Sequence, residues 1–393
     1  MNDPHMRTPA GRLRARGLGI PFDGVPGPLN AITDVTGLEV GATTLISGTG
    51  PLVVGRGPVR TGVTAILPRG RAGVATPVFG GGYSLNGNGE MTGFLWVEEA
   101  GRVDGPITLT NTHSCGLARD ATVRWLVERA GIDMSQIWGL PVAAETYDGR
   151  LNDINGFHVR EAHVFTALDD ARGGPVEEGS VGGGTGMICY GFKGGSGTAS
   201  RIVETAGRRF TLGAFVQANF GTREELIIAG VPVGRYLPEA ETADRPADTG
   251  MDGAGSVIGI IATDAPLMPH QLKRLARRCA LGIGRSGAVG AHTSGDIFLA
   301  ISTANAAAAA AAGTVVSADM VPDPDLTPLF TAVVQAIDEA VLNALVANET
   351  MTGRDGHTVT ALPHEAVREV LRRHNRLDEP PESDCPRCDR DQE

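Results

Sequence analysis

The stretch YLPEAETADRPADTGMDGAG, residues 236–255, runs without a break into SVIGIIAT, residues 256–263. The first part is polar, acidic and rich in turn formers, so it reads as an exposed loop. The second is a continuous apolar run of strand length, the pattern of a buried strand. Next comes PLMPHQLKRLARRCALGIG, residues 266–284. Pro269 suits the first turn of a helix. Leu272, Leu275, Ala276 and Cys279 recur at i, i+3, i+4 and i+7, so one face of that helix is buried. A second apolar strand, DIFLAIST (Asp296 to Thr303), follows a glycine-rich turn.

Further out, the same reading gives strands at Thr61 to Pro68, Gly105 to Thr112 and Phe210 to Gly221, and a turn and strand within Asn30 to Leu45. Helices fit Ala118 to Ala130, Leu326 to Asn348 and Pro363 to His374, with a short alanine helix over Ala306 to Ala312 stopped by Gly313. Two passages are dense in glycine, Pro77 to Phe94 and Gly179 to Arg201. The second interleaves Met187, Ile188, Tyr190 and Phe192, which predicts ordered loop and strand. Strands precede helices in blocks rather than alternating with them, which favours a layered α+β domain over a doubly wound sheet.

Composition narrows the function. The net charge of −11 over 393 residues leaves no basic domain, so nucleic acid is not an expected partner. Arg7, Arg12, Arg14 and Arg16 read as a solvated arm, residues 1–18. No stretch approaches the ~20 apolar residues of a membrane helix, and the first residues lack the apolar centre of a secretory signal. The expected location is the cytoplasm. Five cysteines, an odd number, suit reduced thiols rather than a disulfide framework. Cys385 and Cys388 form a C-x-x-C pair in an acidic tail, residues 376–393. A zinc site needs four ligands and His374 is the only further candidate nearby, so no metal is expected and the tail reads as disordered.

Familiar catalytic signatures are missing: no G-x-S-x-G elbow, no H-E-x-x-H, no Walker A loop. Gly182-Gly-Gly-Thr-Gly fails the spacing of a dinucleotide loop. The informative feature is the junction Gly255-Ser256. A serine hydroxyl there can attack the preceding carbonyl and convert the amide to an ester, and hydrolysis then frees a new terminus. Glycine at 255 leaves that attack uncrowded. The freed α-amine of Ser256, with a reference pKa of ~7.7–8.0, could serve as a base near neutrality. Taken alone, however, Gly-Ser before a strand is a common loop ending.

The chain resembles the DmpA-type aminopeptidases, also called the P1 or S58 family. The matching stretches are GLGIPFDGVPGPLNAITDV, NGNGEMTG, TNTHSCG, ETYDGRLND, GGGTGMICYGFKGGSGTASR, VQANFG, GSVIGIIATDAPLMPHQLKRLARR, HTSGDIF and NETMTGRDG. They run from about Gly17 to His374. The resemblance implies an αββα sandwich like that of N-terminal-nucleophile hydrolases, formed by residues 19–375. It implies that the precursor cuts itself after Gly255 into an α chain, 1–255, and a β chain, 256–393. It implies a serine aminopeptidase that acts on short peptides, amides or esters through an acyl-enzyme on Ser256. No cofactor is implied, and a homotetramer of αβ units is expected.

The resemblance also assigns roles. Ser256 matches the nucleophile. Ser294 and Asp296 match a serine and a carboxylate that hydrogen-bond near it; some relatives have Glu at the second position. Asn219 matches the oxyanion donor, Tyr147 a tyrosine close to the scissile carbonyl, and Glu145 the carboxylate that holds the substrate's amine. The general base is open between the α-amine of Ser256 and the Ser294/Asp296 pair. His113 and Cys115 fall two apart on an expected strand and so on one face, yet the resemblance gives them no nucleophilic role. Two alternatives remain: an acetyltransferase of the ornithine acetyltransferase type, and an uncleaved binding protein.

Overall fold

Ser256–Thr263 is a strand buried along its whole length, and the layers around it explain why. The computed structural model describes residues 3–237 and 255–378. The body of the expected loop, 238–254, and the tail from 379 onward, with Cys385 and Cys388, lie outside the described residues.

In chain order the strands are β1 (Glu39–Ser47), β2 (Val59–Leu67), β3 (Val78–Gly87), β4 (Arg102–Val103), β5 (Ile107–Asn111), β6 (Val142–Thr146), β7 (Ile188–Cys189) and β8 (Phe192–Lys193). There follow β9 (Gly195–Thr205), β10 (Arg208–Asn219), β11 (Ser256–Thr263), β12 (Gly295–Ser302), β13 (Met351–Thr352) and β14 (Thr358–Val359). The first of the two large sheets has the order β1-β2-β5-β6 and the second β4-β3-β12-β11-β10-β9, while β7-β8 and β13-β14 form separate two-stranded pairs. The helices are α1 (Phe94–Ala100), α2 (Cys115–Glu128), α3 (Glu161–Asp169), α4 (Pro269–Arg285), α5 (Ala306–Ala310), α6 (Thr327–Val346) and α7 (His364–Arg373).

Side chains along β11 alternate between two apolar layers. Ile258, Ile260 and Ala262 pack against Ile66, Ile107 and Leu109 of the first sheet. Val257 and Ile261 share the opposite layer with Leu272 and Leu275 of α4 and Ile337 of α6. On the far side of the first sheet, Val63 and Ala65 pack with Trp125 of α2 and Val164 of α3. The result is the αββα sandwich expected from the resemblance. Each fully buried Leu or Ile contributes roughly 1.5–3 kcal/mol, and β11 draws on both of its faces. That is why its sequence reads as an unbroken apolar run. The helix expected at Pro269 begins there, and the Gln271 side chain accepts the Met268 N–H at 3.0 Å to close its first turn.

The arm is only partly solvated: Arg7 stays exposed, while Arg14 and Arg16 are drawn into the fold. Arg14 is buried, with Nε 2.7 Å from Glu178 Oε2, Nη2 on the Asn30 and Thr198 carbonyls and Nη1 on that of Pro4. Arg16 Nε meets Glu339 Oε1 at 2.7 Å, and Arg201 and Asn30 converge on the same carboxylate. Ala15 and Leu18 join the core beside α6. A buried guanidinium is tolerable only when paired, and these partners come from distant parts of the chain.

The TNTHSCG segment also departs from expectation. β5 ends at Asn111, whose Oδ1 accepts the Ser114 N–H at 3.0 Å. A turn follows and α2 begins at Cys115, so His113 and Cys115 are not two positions on one strand. The expectation that no stretch approaches a membrane helix is corrected: Asp323–Val346 is long and apolar enough to cross a membrane. It carries Glu339 and Asn343 on buried positions and packs between β9 and α4 as a core helix.

Candidate active site

The register of the second sheet assembles the site. Ser256 opens β11, pairs with Asn219 at the end of β10, and lies opposite Gly295 of β12. By alternation Ser256 and Asn219 share the inter-sheet face with Ile258 and Phe215. The Ser256 side chain is only 3% exposed. Two N–H donors face its Oγ. Asn219 Nδ2 lies at 3.5 Å and the backbone N–H of Tyr147, just past β6, at 3.4 Å. The Asn219 amide is oriented by a second contact: its Oδ1 accepts the Ile188 N–H at 2.8 Å, which turns Nδ2 toward the serine.

The carbonyl of Gly255 is held as well. It accepts the N–H of Gly295 at 3.0 Å, a polarising contact on the bond expected to break. A Cβ at position 255 would lie 2.5 Å from the Asn219 carbonyl oxygen and 2.8 Å from Phe220 Cα. Glycine is therefore required here by close backbone approach. A Cβ at Gly295 would similarly lie 2.3 Å from the Asn88 carbonyl oxygen.

Ser294 Oγ donates to Asp296 Oδ1 at 2.6 Å, and Asn86 Nδ2 donates to Oδ2 at 3.1 Å. Both Ser294 and Asp296 are buried. Burial raises the Asp296 carboxyl pKa, and the hydrogen bonds from Ser294 and Asn86 oppose that rise. Among the described residues neither makes a hydrogen bond to Ser256. They flank it through Gly295. Tyr147 differs from expectation in the part it presents. Its backbone N–H faces Ser256, while its ring is 46% exposed and its hydroxyl lies over Gly149.

Glu145, on β6, is 4% exposed. Its Oε1 accepts the Glu90 N–H at 2.9 Å and its Oε2 accepts the Thr112 hydroxyl. Burial raises its pKa, the two hydrogen bonds lower it, and the nearby Glu90 carboxylate raises it again. Oε1 sits against Gly89, which packs on Gly295, so the carboxylate belongs to the surroundings of Ser256. Positive charge on nearby His113 lowers the Glu145 pKa, and a carboxylate in this setting can receive an ammonium through charge-assisted hydrogen bonds.

Cys115 is buried with its thiol on the Ala143 carbonyl, and burial pushes its pKa to about 12. That thiol is not a nucleophile near neutrality. Sequence reasoning missed the Gly295 and Tyr147 N–H groups, because a backbone donor leaves no residue-type signal. It also missed Thr112 and Ile188, which orient Glu145 and Asn219. No cluster of three metal-ligating side chains occurs among the described residues.

An αββα sandwich with a serine hydroxyl at the head of a central strand, a glycine before it and amide donors around it defines an N-terminal-nucleophile-like hydrolase. The chain belongs to Peptidase family S58, whose model matches residues 30–359. It is 54% identical to the β-peptidyl aminopeptidase BapA of Sphingosinicella microcystinivorans over 372 residues, covering 93% of each chain. A second β-peptidyl aminopeptidase BapA, from Sphingosinicella xenopeptidilytica, is 47% identical over 91% of each chain. Among solved structures it resembles the L-aminopeptidase D-Ala-esterase/amidase of Ochrobactrum anthropi. That structure, described as a variant of the Ntn hydrolase fold, matches with a TM-score of 0.84 and 51% identity over 93% of this chain and 99% of that one.

Proposed function

We propose that this serine aminopeptidase matures by cutting its own backbone after Gly255 and then uses Ser256 as its nucleophile. The observation that carries the reading is the setting of Ser256 Oγ, buried beside Asn219 Nδ2 and the Tyr147 N–H directly after a glycine. In the precursor the hydroxyl attacks the Gly255 carbonyl, and the N–C bond gives way to an ester. Water then cleaves the ester, leaving a Gly255 carboxylate and a free Ser256 amine.

In the mature enzyme Ser256 Oγ attacks the carbonyl of the substrate's first residue, whose ammonium rests on Glu145. The Ser256 α-amine takes the hydroxyl proton and returns it to the departing amine, while Asn219 Nδ2 donates to the oxyanion. Water releases the acyl group. The α-amine is favoured as base because Ser294 already donates its proton to Asp296. That buried pair anchors the start of β12 and hence Gly295.

Likeness to two β-peptidyl aminopeptidases supports, for this chain, substrates whose first residue is a β-amino acid. Oligomers of αβ units belong to the same proposal, since Leu95 and Trp138, 85% and 83% exposed, offer apolar surface for a second copy to cover. The test is a comparison of β-alanyl and α-alanyl p-nitroanilides. Faster release of nitroaniline from the β-alanyl compound is expected. Release from neither compound would sink the assignment.

A further inference from the structure

Phe157 has the backbone of a residue that should be glycine or asparagine. It stands at φ 50°, ψ 49°, at the end of the short turn Ile154–Gly156. The left-handed region is disfavoured for a bulky side chain, and such outliers gather at functional sites. The turn is held on both sides. The buried carboxylate of Asp153 accepts the Gly55 N–H at 2.7 Å and pairs with His158 Nε2 at 2.8 Å. The Asp153 N–H also donates to the Pro58 carbonyl at 2.9 Å. The scaffold thus fixes the Phe157 backbone in an unfavourable conformation and still leaves the residue 53% exposed. Core packing does not account for that arrangement.

The ring has one neighbour of consequence. His113 stacks on it with ring centroids 5.9 Å apart and planes 26° apart. His113 follows Thr112, whose hydroxyl donates to the Glu145 carboxylate. A continuous path therefore leads from the exposed ring to the group that receives the substrate's amine. His113 also acts on the Glu145 carboxylate through its charge, so the paired rings stand beside the group that would receive the substrate's amine, and the first side chain, which branches next to that amine, would meet them.

We propose that Phe157, backed by His113, forms the wall that receives the substrate's first side chain and favours apolar, branched or aromatic groups there. This rests on the aminopeptidase reading above. A flat ring held rigid in advance loses no conformational freedom on binding, and its free face offers apolar contact to such a side chain.

The test measures kcat/KM for β-homoleucyl and β-alanyl p-nitroanilides, the β-amino acid class proposed above, and takes their ratio. Phe157→Asn removes the ring but suits the left-handed backbone, so the variant should fold and melt no lower than the wild type. The β-homoleucyl-to-β-alanyl ratio should fall about tenfold, the scale of losing apolar contact in a pocket. Phe157→Tyr should keep it within threefold. His113→Ala, which removes the backing ring without touching the strained turn, should lower the ratio in the same direction, and it carries the test if Phe157→Asn fails to fold. A ratio within twofold of wild type in both Phe157→Asn and His113→Ala overturns the wall. Wild-type protein that cleaves neither compound contradicts the aminopeptidase reading itself, and the wall with it.

Discussion

Replacing Asn219 separates its two contacts. Nδ2 faces Ser256 Oγ at 3.5 Å, and Oδ1 accepts the Ile188 N–H at 2.8 Å. Asn219→Ala removes both. Loss of one preorganised oxyanion donor costs about 2.7–4 kcal/mol, or 10²–10³ in kcat. The Ile188 N–H, left without its acceptor, costs a further ~1–3 kcal/mol of stability. Asn219→Asp keeps an oxygen for Ile188 but puts a carboxylate oxygen where the donor was. It should therefore lose kcat as severely as the alanine variant while unfolding at nearly the wild-type urea midpoint. The assay is p-nitroanilide turnover per mole of matured chain, with the matured fraction read by mass spectrometry. Urea unfolding runs in parallel. Wild-type kcat in matured Asn219→Asp would refute the donor role. Equal destabilisation in both variants would refute the claim that Ile188 orients the amide.

Glu145→Gln keeps the shape but removes the charge, so kcat/KM for substrates with a free amine should fall by roughly 10². Because burial raises the Glu145 pKa, the acid limb of wild-type kcat/KM should lie above the ordinary carboxylate value, with activity lost as the carboxylate takes up a proton on acidification. Asp148 is fully buried, and its pKa is raised to about 7. A carboxyl with a folded pKa above its unfolded value of ~3.9 binds more protons when folded, so its contribution to stability declines as pH rises from about 4 to 7. Asp148→Asn should flatten the fall in melting temperature between about pH 4 and 7, and an unchanged slope would exclude Asp148 as its source. Glu339→Gln leaves Arg16 and Arg201 without their shared carboxylate and should cost ~3–5 kcal/mol in urea unfolding. A loss below about 1 kcal/mol would mean that the arm is held by its apolar contacts instead.

The central strands were legible because both of their faces are buried. Ile258 and Ile260 face one sheet while Val257 and Ile261 face the helices, so β11 shows no polar alternation. The helix at Pro269 was legible from its apolar stripe. β3 was not read as a strand because Gly80, Gly81 and Gly82 fall within it. The reason is α4 lying directly on it: a Cβ at Gly81 would be 2.3 Å from the Lys273 nitrogen. The arm was misread because arginines near a terminus look solvated until the fold brings Glu178 to Arg14 and Glu339 to Arg16. At the site, the family pattern located Ser256, Asn219 and Glu145. The Tyr147 and Gly295 contributions are backbone N–H groups, which depend on register rather than residue type. The Asn111 cap before α2 could have been found, since asparagine is a favoured residue at that position.

The central claim is that Ser256 cuts the bond before it. Intact mass and N-terminal sequencing of the purified wild-type protein, beside Ser256→Ala, test it most directly. The account predicts two wild-type chains, the smaller beginning Ser-Val-Ile-Gly, and a single uncut chain in Ser256→Ala. A wild-type chain that stays whole yet hydrolyses aminoacyl nitroanilides, or a Ser256→Ala chain cut at the same bond, would contradict it.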